Sequence, residues 1–312
     1  MKTFKSVTVI VLLIIGYLTV SNIAFAENPM RITMDEDIVS VYSEQRVLLR
    51  YRYRDAPFKP YVEQLFSPSG TNVLRDAPAD HLHHHALMFA VTVDGVNFWE
   101  EQQAPGRQVH RSFANMRIDK RNDLPQASFT ECIGWTNPRS KEFLIKEHRT
   151  IEVCQVQELQ VTLLSWRSSF ELPPERQSAT LTGAHYHGLG MRFLKSMDVG
   201  GQFRNAAGRA GDVVRGDERL VQARWCVYTA KANEKTVTIA MFGHPDNLRH
   251  PTKWFTMTKP FAYLSATLNL HKEPLKVTQD KPLVLRYAVV IWDNQVENAQ
   301  IEKVYNWWVN SK

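Results

Sequence analysis

The chain has 312 residues and a formal net charge of +6, with 44% hydrophobic and 22% charged residues. This length accommodates one large all-β domain or two small ones. The basic residues are scattered, and the densest small cluster consists of Arg117, Lys120 and Arg121. Nucleic-acid-binding proteins concentrate such residues on one face, so we expect no nucleic-acid partner.

The amino terminus has the pattern of a secretory signal peptide. Lys2 and Lys5 precede an apolar run over residues 7–20, and Ala24-Phe25-Ala26 forms a small-x-small cleavage site. The run is shorter than the roughly 20 residues of a membrane span, and an uncleaved membrane anchor is the alternative. We predict a signal peptide over residues 1–26, cleavage after Ala26, and a periplasmic or secreted mature protein without membrane association.

From Ile38 onward, hydrophobic residues mostly recur with a period of two, which is typical of half-buried strands. The sequence predicts strands at 47–53, 86–93, 126–135, 143–156, 159–170, 186–194, 222–230, 236–242, 260–268 and 283–292, with a hairpin turn at Asp94-Gly95. Short strands separated by turns favour a sandwich or barrel over βαβ units. We predict an all-β fold, a large antiparallel β-sandwich that forms a single domain over residues 27–312.

Two segments interrupt this pattern. An apolar stripe with helical spacing, from Val296 to Trp308, predicts a C-terminal helix at about 295–310 that packs over a sheet end. The alternative is that this part of the helix, with Trp307 and Trp308, forms a surface for a partner. Residues 205–216 contain three glycines and several charges, and they predict a loop.

The chain has three cysteines, Cys132, Cys154 and Cys226. They are far apart and lack the C-x-x-C spacing of a zinc site. An oxidising compartment permits one disulfide with one cysteine left over, and the sequence specifies neither the pair nor whether it forms.

Four of the eleven histidines fall within five residues, at His81, His83, His84 and His85. Imidazole titrates near neutral pH and is a common metal ligand. In extended backbone His83 and His85 would share one face, and Asp80 could fix the tautomer of a neighbouring ring. We predict His83 as a catalytic acid or base and Asp80 as an orienting carboxylate. Histidines bonded to backbone at a strand start are the alternative.

A second histidine pair, His185 and His187, has the spacing of residues that share one face of a strand. His187 is therefore a second catalytic acid/base candidate. Arg192 follows as a fixed cation that could hold a substrate in a forked geometry. An exposed polar strand face is the alternative for this segment.

A third stretch, residues 242–255, contains two prolines, a glycine and an Asp-Asn pair, which indicate an ordered loop. Trp254 beside His244 and Arg249 resembles a sugar platform, because an aromatic face with forked polar groups suits polyhydroxy ligands. We predict substrate binding by His244, Asn247 and Trp254. A core position for Trp254 is the alternative.

The two histidine pairs could instead hold one metal ion. Its ligands would be His83, His85, His185 and His187, and the ion a single zinc, copper or iron. H-E-x-x-H, G-x-S-x-G, P-loop and dinucleotide fingerprints are all absent from the sequence. Acid/base catalysis by a carboxylate–histidine pair without a cofactor is therefore the main prediction.

Four segments resemble the DUF6807 family, with a match over about residues 45–292: PYVEQLFSPSG at 60–70, PADHLHHHAL at 78–87, DGVNFW at 94–99 and GHPDNLRHPTKW at 243–254. The family carries the label "methane oxygenase PmoA"-like. The resemblance implies an exported protein of carbohydrate-degrading bacteria with a fold similar to the galactose-mutarotase supersandwich. Position 85 is His where this family usually has Arg, and His185-Tyr186-His187 replaces an acidic, glycine-rich segment.

Three functions are compatible with these features. The main prediction is an exported carbohydrate-active enzyme, a hydrolase, lyase or epimerase that uses histidine/carboxylate acid–base chemistry on a sugar or oligosaccharide. The alternatives are a histidine-ligated, metal-dependent oxygenase or hydrolase, and a non-catalytic carbohydrate-binding protein. The sequence does not indicate the substrate, the reaction type or the oligomeric state.

Overall fold

A computed structural model describes residues 30–311, and the predicted signal peptide lies outside this range. Within it the chain is built mainly from antiparallel strands, and one α-helix follows them. In chain order the strands are β1 (Met30–Met34), β2 (Ile38–Ser43), β3 (Arg46–Arg52), β4 (Tyr61–Leu65), β5 (Leu87–Ala90), β6 (Thr92–Val93), β7 (Val96–Asn97), β8 (Arg107–Arg121), β9 (Leu124–Thr136), β10 (Phe143–Val156), β11 (Val161–Glu171), β12 (Ser178–Thr182), β13 (Gly188–Arg192), β14 (Gln202–Asn205), β15 (Asp212–Val213), β16 (Arg219–Gln222), β17 (Trp225–Ala232), β18 (Lys235–Gly243), β19 (Lys253–Met257), β20 (Tyr263–Thr267), β21 (Leu275–Thr278) and β22 (Leu283–Trp292). The helix α1 spans Asn298–Asn310.

The strands form three sheets. A ten-stranded sheet has the order β1-β2-β3-β4-β5-β13-β20-β19-β16-β15. An eight-stranded sheet has the order β14-β17-β18-β22-β11-β10-β9-β8, and a four-stranded sheet has the order β21-β12-β6-β7. The predicted antiparallel β-sandwich with a C-terminal helix is confirmed.

The period of two along the central strands sorts apolar residues into two cores. On β11 and β22, Leu164 lies opposite Val289 and both belong to the main core that the two large sheets share. Their neighbours Leu163 and Val290 also lie opposite each other, but they belong to a second core on the other face of the eight-stranded sheet. These strands read as continuous apolar runs because both of their faces are buried.

The helix α1 closes this second core. Its buried residues Ile301, Val304, Tyr305 and Trp308 pack against apolar side chains of β10, β11, β17, β18 and β22. The helix therefore covers a sheet face. The sequence had predicted that it would pack over a sheet end. The reason for the difference is that the outer face of these strands is itself apolar and needs a cover.

Several expectations about local structure are corrected. The longest strand, β8, has 15 residues and was not predicted, because it is mostly exposed and its polar residues show no alternation. The predicted loop at 205–216 contains the short strand β15. Cys132, Cys154 and Cys226 are all free thiols, so no disulfide forms among them. Within residues 30–311 no helix is long and apolar enough to cross a membrane.

Candidate functional site

A cleft of about 390 Å³ opens where β19 and β20 of the ten-stranded sheet meet loops from four other parts of the chain. Phe255 and Met257 alternate along β19 and therefore face the cleft together. The other lining residues are His81, His83, His84, Trp99, Glu100, Tyr186, Arg215, Gly216, Asp217, Glu218, Lys259, Pro260, Phe261 and Tyr263. The lining thus combines aromatic rings, imidazoles and charges of both signs.

Tight turns bring three histidines to one wall of the cleft. The His81 amide donates to the Pro78 carbonyl at 2.8 Å, and the His84 amide donates to the His81 carbonyl at 3.0 Å. The ring centroids of His81, His83 and His84 consequently lie 4.5 to 5.7 Å apart. The expected extended backbone, with His83 and His85 on one face, is wrong because these hydrogen bonds fold the segment.

His83 has a carboxylate partner in the cleft. Its Nε2 lies 3.6 Å from Oε2 of Glu100, close enough for an electrostatic interaction but longer than a hydrogen bond. Burial lowers the pKa of His83, and the opposing charge of Glu100 only partly offsets this effect. His83 is therefore a neutral imidazole near neutral pH, with a carboxylate beside it.

The floor of the cleft is aromatic and closely packed. The Tyr263 ring lies 5.0 Å from the His84 ring and 6.2 Å from the Trp99 ring. A Cβ atom on Gly190 would lie 1.9 Å from the Tyr263 hydroxyl and 2.9 Å from the Trp99 indole, so only glycine allows this packing on β13.

Polar atoms without hydrogen-bond partners cluster at this floor. Within the described chain, Nδ1 of His84, Nε1 of Trp99 and the hydroxyl of Tyr263 are buried and have no partner. Burial lowers the pKa of His84 to about 2, and the nearby His83 and His81 add to this effect, so the ring is neutral. Buried polar groups are normally paired, and unpaired ones in a cleft indicate a place where a ligand or water binds.

His85 points away from the other histidines into a buried charge network. Its Nδ1 lies 2.9 Å from Asp76 and its Nε2 lies 2.8 Å from Glu101. Lys59 donates to Glu101 at 2.5 Å and to the Trp99 carbonyl at 3.3 Å. Burial lowers the pKa of His85, but the hydrogen bonds to the two carboxylates outweigh it and the net pKa is raised. The network therefore holds the segment that carries Trp99 and Glu100.

The opposite wall of the cleft carries a second carboxylate. Glu218 is buried, lies 3.1 Å from Nε2 of His185 and accepts a hydrogen bond from Arg215 at 2.6 Å. Asp217 accepts hydrogen bonds from the Thr258 hydroxyl at 2.6 Å and the Lys259 amide at 2.6 Å. These bonds tie the 215–218 loop to the loop after β19, so both loops hold the cleft open in one shape.

Asp80 and Arg192 lie beside the cleft rather than in it. Asp80 is half exposed and lies 3.2 Å from Nδ1 of His81, so the imidazole that it is placed to orient is His81 and not His83. Arg192 is 1% exposed, and its guanidinium packs 3.6 Å from the Phe261 ring centroid and 3.8 Å from Asp198. Its neighbours enclose the side chain, so Arg192 does not line the cleft, and its contact with substrate stays a prediction.

The second histidine pair is split by a turn. The His187 amide donates to the Ala184 carbonyl at 3.2 Å, so His185 and His187 do not share a strand face. His187 is 4% exposed and stacks on Trp99 at 5.0 Å between ring centroids. Burial lowers its pKa to about 3, with a further contribution from His185. His187 therefore packs on the indole and does not line the cleft, and its catalytic role stays a prediction.

The third predicted stretch lies in separate structural positions. Trp254 is completely buried and donates to the Ala223 carbonyl at 2.7 Å, because it alternates with the cleft residue Phe255 along β19. The side-chain amide of Asn247 donates to the Arg286 carbonyl and accepts from the Arg286 backbone amide, at 2.7 Å each. His244 is 5% exposed and packs against Trp308, 5.3 Å away. None of these three residues lines the cleft, and their predicted substrate binding stays a prediction.

The predicted metal ligands are not brought together. Both ring nitrogens of His85 are taken by carboxylates, His187 stacks on Trp99, and His185 pairs with Glu218. Within residues 30–311, no group of three or more His, Cys, Asp or Glu side chains is arranged to hold a metal ion. The residues present therefore do not fit the four-histidine centre.

Sequence reasoning missed much of the cleft. Glu100 directly follows the DGVNFW segment, and this proximity to a hairpin was the one available signal for it. Glu218, Lys259, Phe261 and Tyr263 carry no motif, since only the pairing of distant strands gathers them around the histidine turns.

Among solved structures, the chain is similar to a GH36 α-galactosidase, AgaB, from Geobacillus stearothermophilus, with 9% identity and a TM-score of 0.49. That match covers 85% of this chain and 41% of the galactosidase, so the chain spans about two fifths of that protein's length. A galactose mutarotase related enzyme from Lactobacillus acidophilus matches with 8% identity and a TM-score of 0.40, over 86% of this chain and 99% of that one. A galactose mutarotase-like protein from Lactobacillus casei matches with 9% identity and a TM-score of 0.33, over 84% and 99%.

A comparison with curated proteins finds no match. The model of DUF6807, described as a family of unknown function, matches residues 38–306, a wider span than the sequence segments indicated. This match covers most of the chain and includes every lining residue of the cleft. The chain belongs to the DUF6807 family.

Proposed function

We propose that this protein is an exported enzyme that acts on a sugar or oligosaccharide by acid–base chemistry in the cleft. The observation that carries the proposal is the His83–Glu100 pair, 3.6 Å apart, above an aromatic floor. A neutral imidazole beside a carboxylate can take a proton from water, from a substrate hydroxyl or from a substrate carbon, and the imidazolium can then give the proton to a leaving oxygen or to a carbon. Hydrolysis uses the proton of water, whereas elimination and epimerisation use the proton of a substrate carbon.

The floor supplies what a sugar needs for binding. The partly exposed ring of Tyr186 and the mostly buried rings of Phe255 and Phe261 line the cleft with apolar area, and its edges offer Glu218 and Lys259 for hydroxyl groups. The unpaired Nε1 of Trp99 and the unpaired hydroxyl of Tyr263 can donate to ring or hydroxyl oxygens. Aromatic faces with a few convergent polar groups are typical of polyhydroxy ligand sites.

His83 and Glu100 have distinct roles in this proposal. His83 is the general base in its neutral form, and Glu100 stabilises the imidazolium that forms when the proton arrives. The separation of 3.6 Å is longer than a hydrogen bond, and such pairs often shorten when substrate binds. Because burial lowers the pKa of His83, activity should persist to a pH below the ordinary histidine value of about 6.5 before protonation removes the base.

The test is a screen of neutral and acidic oligosaccharides with protein isolated from its native host without a histidine tag. New reducing ends, unsaturated products or changed sugar stereochemistry by NMR would identify the reaction. The amino-terminal residue of the same material would show whether the bond after Ala26 is cut, and an intact residue 1 would contradict export by cleavage. On the identified substrate, we expect His83→Ala to lower kcat about 10²- to 10⁴-fold and Glu100→Gln to lower it less.

The chain offers a matched control for this experiment. His148 lies 3.5 Å from Glu171 on the eight-stranded sheet, outside the cleft, at nearly the same separation as His83 from Glu100. His148→Ala should leave turnover unchanged. A folded His83→Ala protein with full turnover would disprove the catalytic role. Saturable sugar binding that depends on Tyr186, with no product from any substrate, would instead identify a carbohydrate-binding protein.

A further inference from the structure

A second cavity, about 280 Å³ in volume, lies on the eight-stranded sheet beside the end of α1. Ser165 on β11 lines it and lies directly opposite Ala288 of the second core, so the cavity opens on the face that the helix partly covers. Trp308 and Ser311 close one side. No residue of the cavity belongs to the cleft described above.

The strand register places polar residues side by side across this cavity. Arg167 on β11 lies opposite Arg286 on β22 and opposite Thr150 on β10. Glu152 on β10 lies opposite Ser165 in the next row on the same face. On this sheet face a polar recess lies next to the hydrophobic second core. Such a recess is suited to a polar ligand.

Positive charge predominates in this cavity. Its lining contains five cationic side chains, Arg117, Lys120, Arg121, Arg167 and Arg286, and two carboxylates, Asp119 and Glu152. Like charges directly opposite each other on neighbouring strands destabilise a sheet, and this is the position of Arg167 and Arg286. Arg286 lies 3.5 Å from Asp246, whereas Arg167 has no ion-pair partner in the part of the chain that the structure describes.

A buried guanidinium beneath these charges is incompletely paired. Arg121 is 8% exposed, donates to the Trp308 carbonyl at 3.0 Å, the Ser165 hydroxyl at 3.3 Å and the Ser311 carbonyl at 3.4 Å, and lies 3.5 Å from Glu152. Its Nε, the Oε1 of Gln126 and the Oδ1 of Asp119, which all belong to the cavity lining, are buried and have no partner within residues 30–311. A buried donor and a buried acceptor are thus both unsatisfied in one cavity, at a cost that a bound ligand would remove.

We propose that this cavity binds a carboxylate or sulfate group carried on a small hydroxylated molecule such as an acidic sugar. Arg121 and Arg167 would donate to the oxyanion, for which the guanidinium fork is well suited. Gln126 would accept a hydrogen bond from a neighbouring hydroxyl of the same molecule. Carboxylate and sulfate share this chemistry, and inorganic sulfate and glucuronate therefore serve as probes. The site is independent of the cleft and of its proposed reaction.

The test is a titration of the full chain with glucuronate, sodium sulfate and glucose, followed by NMR and calorimetry. We expect saturable binding of glucuronate, competition by sulfate, and no binding of glucose at this cavity. Arg167→Ala should weaken glucuronate binding about tenfold or more, since it removes a charge-assisted hydrogen bond. Gln126→Leu should weaken the binding of glucuronate but not of sulfate.

The control is Arg139→Ala, which removes an exposed arginine from the turn between β9 and β10, away from the cavity. Equal weakening by Arg139→Ala and Arg167→Ala would overturn the proposal in favour of general charge attraction. Binding of neither anion would overturn it outright, and binding of sulfate alone would overturn the hydroxylated carrier. Weakening by His83→Ala would place the probes in the cleft instead. Arg167 is exposed, so its replacement tests the site without removing the buried Arg121.

Discussion

At the scale of single residues, neighbouring histidines of the histidine run have different surroundings and different roles. His83 faces the cleft and Glu100, while His85, two positions later, lies between Asp76 and Glu101 in a buried network. A turn decides this difference, because it aims neighbouring side chains in opposite directions. The carboxylate that accompanies His83 is consequently distant in sequence, whereas the adjacent Asp80 pairs with His81.

The His85 network yields a prediction about stability. His85→Leu would leave two carboxylates beside an apolar side chain, and we expect it to lower the free energy of unfolding by about 3 kcal/mol. His85→Arg keeps a cation with several donors between Asp76 and Glu101, so it should cost clearly less. Urea unfolding followed by tryptophan fluorescence measures both variants. An equal loss in both would show that ring packing on Tyr61, 4.6 Å away, outweighs charge at this position.

At the scale of secondary-structure elements, loops attached to rigid strands build the cleft. The turns before β5, the segment after β7, the turn before β13 and the loops after β15 and β19 each supply lining residues, while the strands hold their ends in place. Asp217 joins two of these loops by accepting from Thr258 and Lys259. In many proteins the binding and catalytic residues lie on loops, and a rigid scaffold of strands holds these loops in position.

The helix α1 gives a prediction at this scale through two adjacent tryptophans. Trp308 is 3% exposed and its Nε1 donates to Ser165 at 3.0 Å, whereas Trp307 is only partly buried. We expect Trp308→Ala to lower the free energy of unfolding by about 3 to 5 kcal/mol, because it removes a buried ring from the second core. Trp307→Ala should cost about 1 kcal/mol. Urea midpoints of the two variants test this, and similar losses would contradict the burial difference.

At the scale of the whole molecule, the burial of two histidines makes the free energy of unfolding depend on pH. Burial against the ten-stranded sheet lowers the pKa of His84 to about 2 and of His187 to about 3. In the unfolded chain both imidazoles titrate near pH 6.5. Between about pH 6 and pH 4 the unfolded chain therefore binds two protons that the folded chain does not, and stability falls as the pH is lowered.

This difference predicts a measurable slope. Each of the two histidines should contribute about 1.4 kcal/mol of lost stability per pH unit in this window. The neighbouring His83 also has a lowered pKa and acts in the same direction, whereas His85, with a raised pKa, acts in the opposite one. Urea unfolding at pH 7, 6 and 5 measures the slope, and the double variant His84→Asn, His187→Asn should flatten it. An unchanged slope in that variant would show that other groups cause the acid response.

The sequence by itself determined the all-β class, about half of the strand positions and the C-terminal helix, since these depend on local periodicity and turn residues. It also located the histidine run and His83, because four histidines in five residues are conspicuous without any structure. Only the tertiary structure placed Glu100 beside His83, buried Trp254 and Arg192, and separated His185 from His187. The physical reason is that side-chain partners in an antiparallel sandwich come from strands far apart in the chain, and backbone turns set the direction of each side chain.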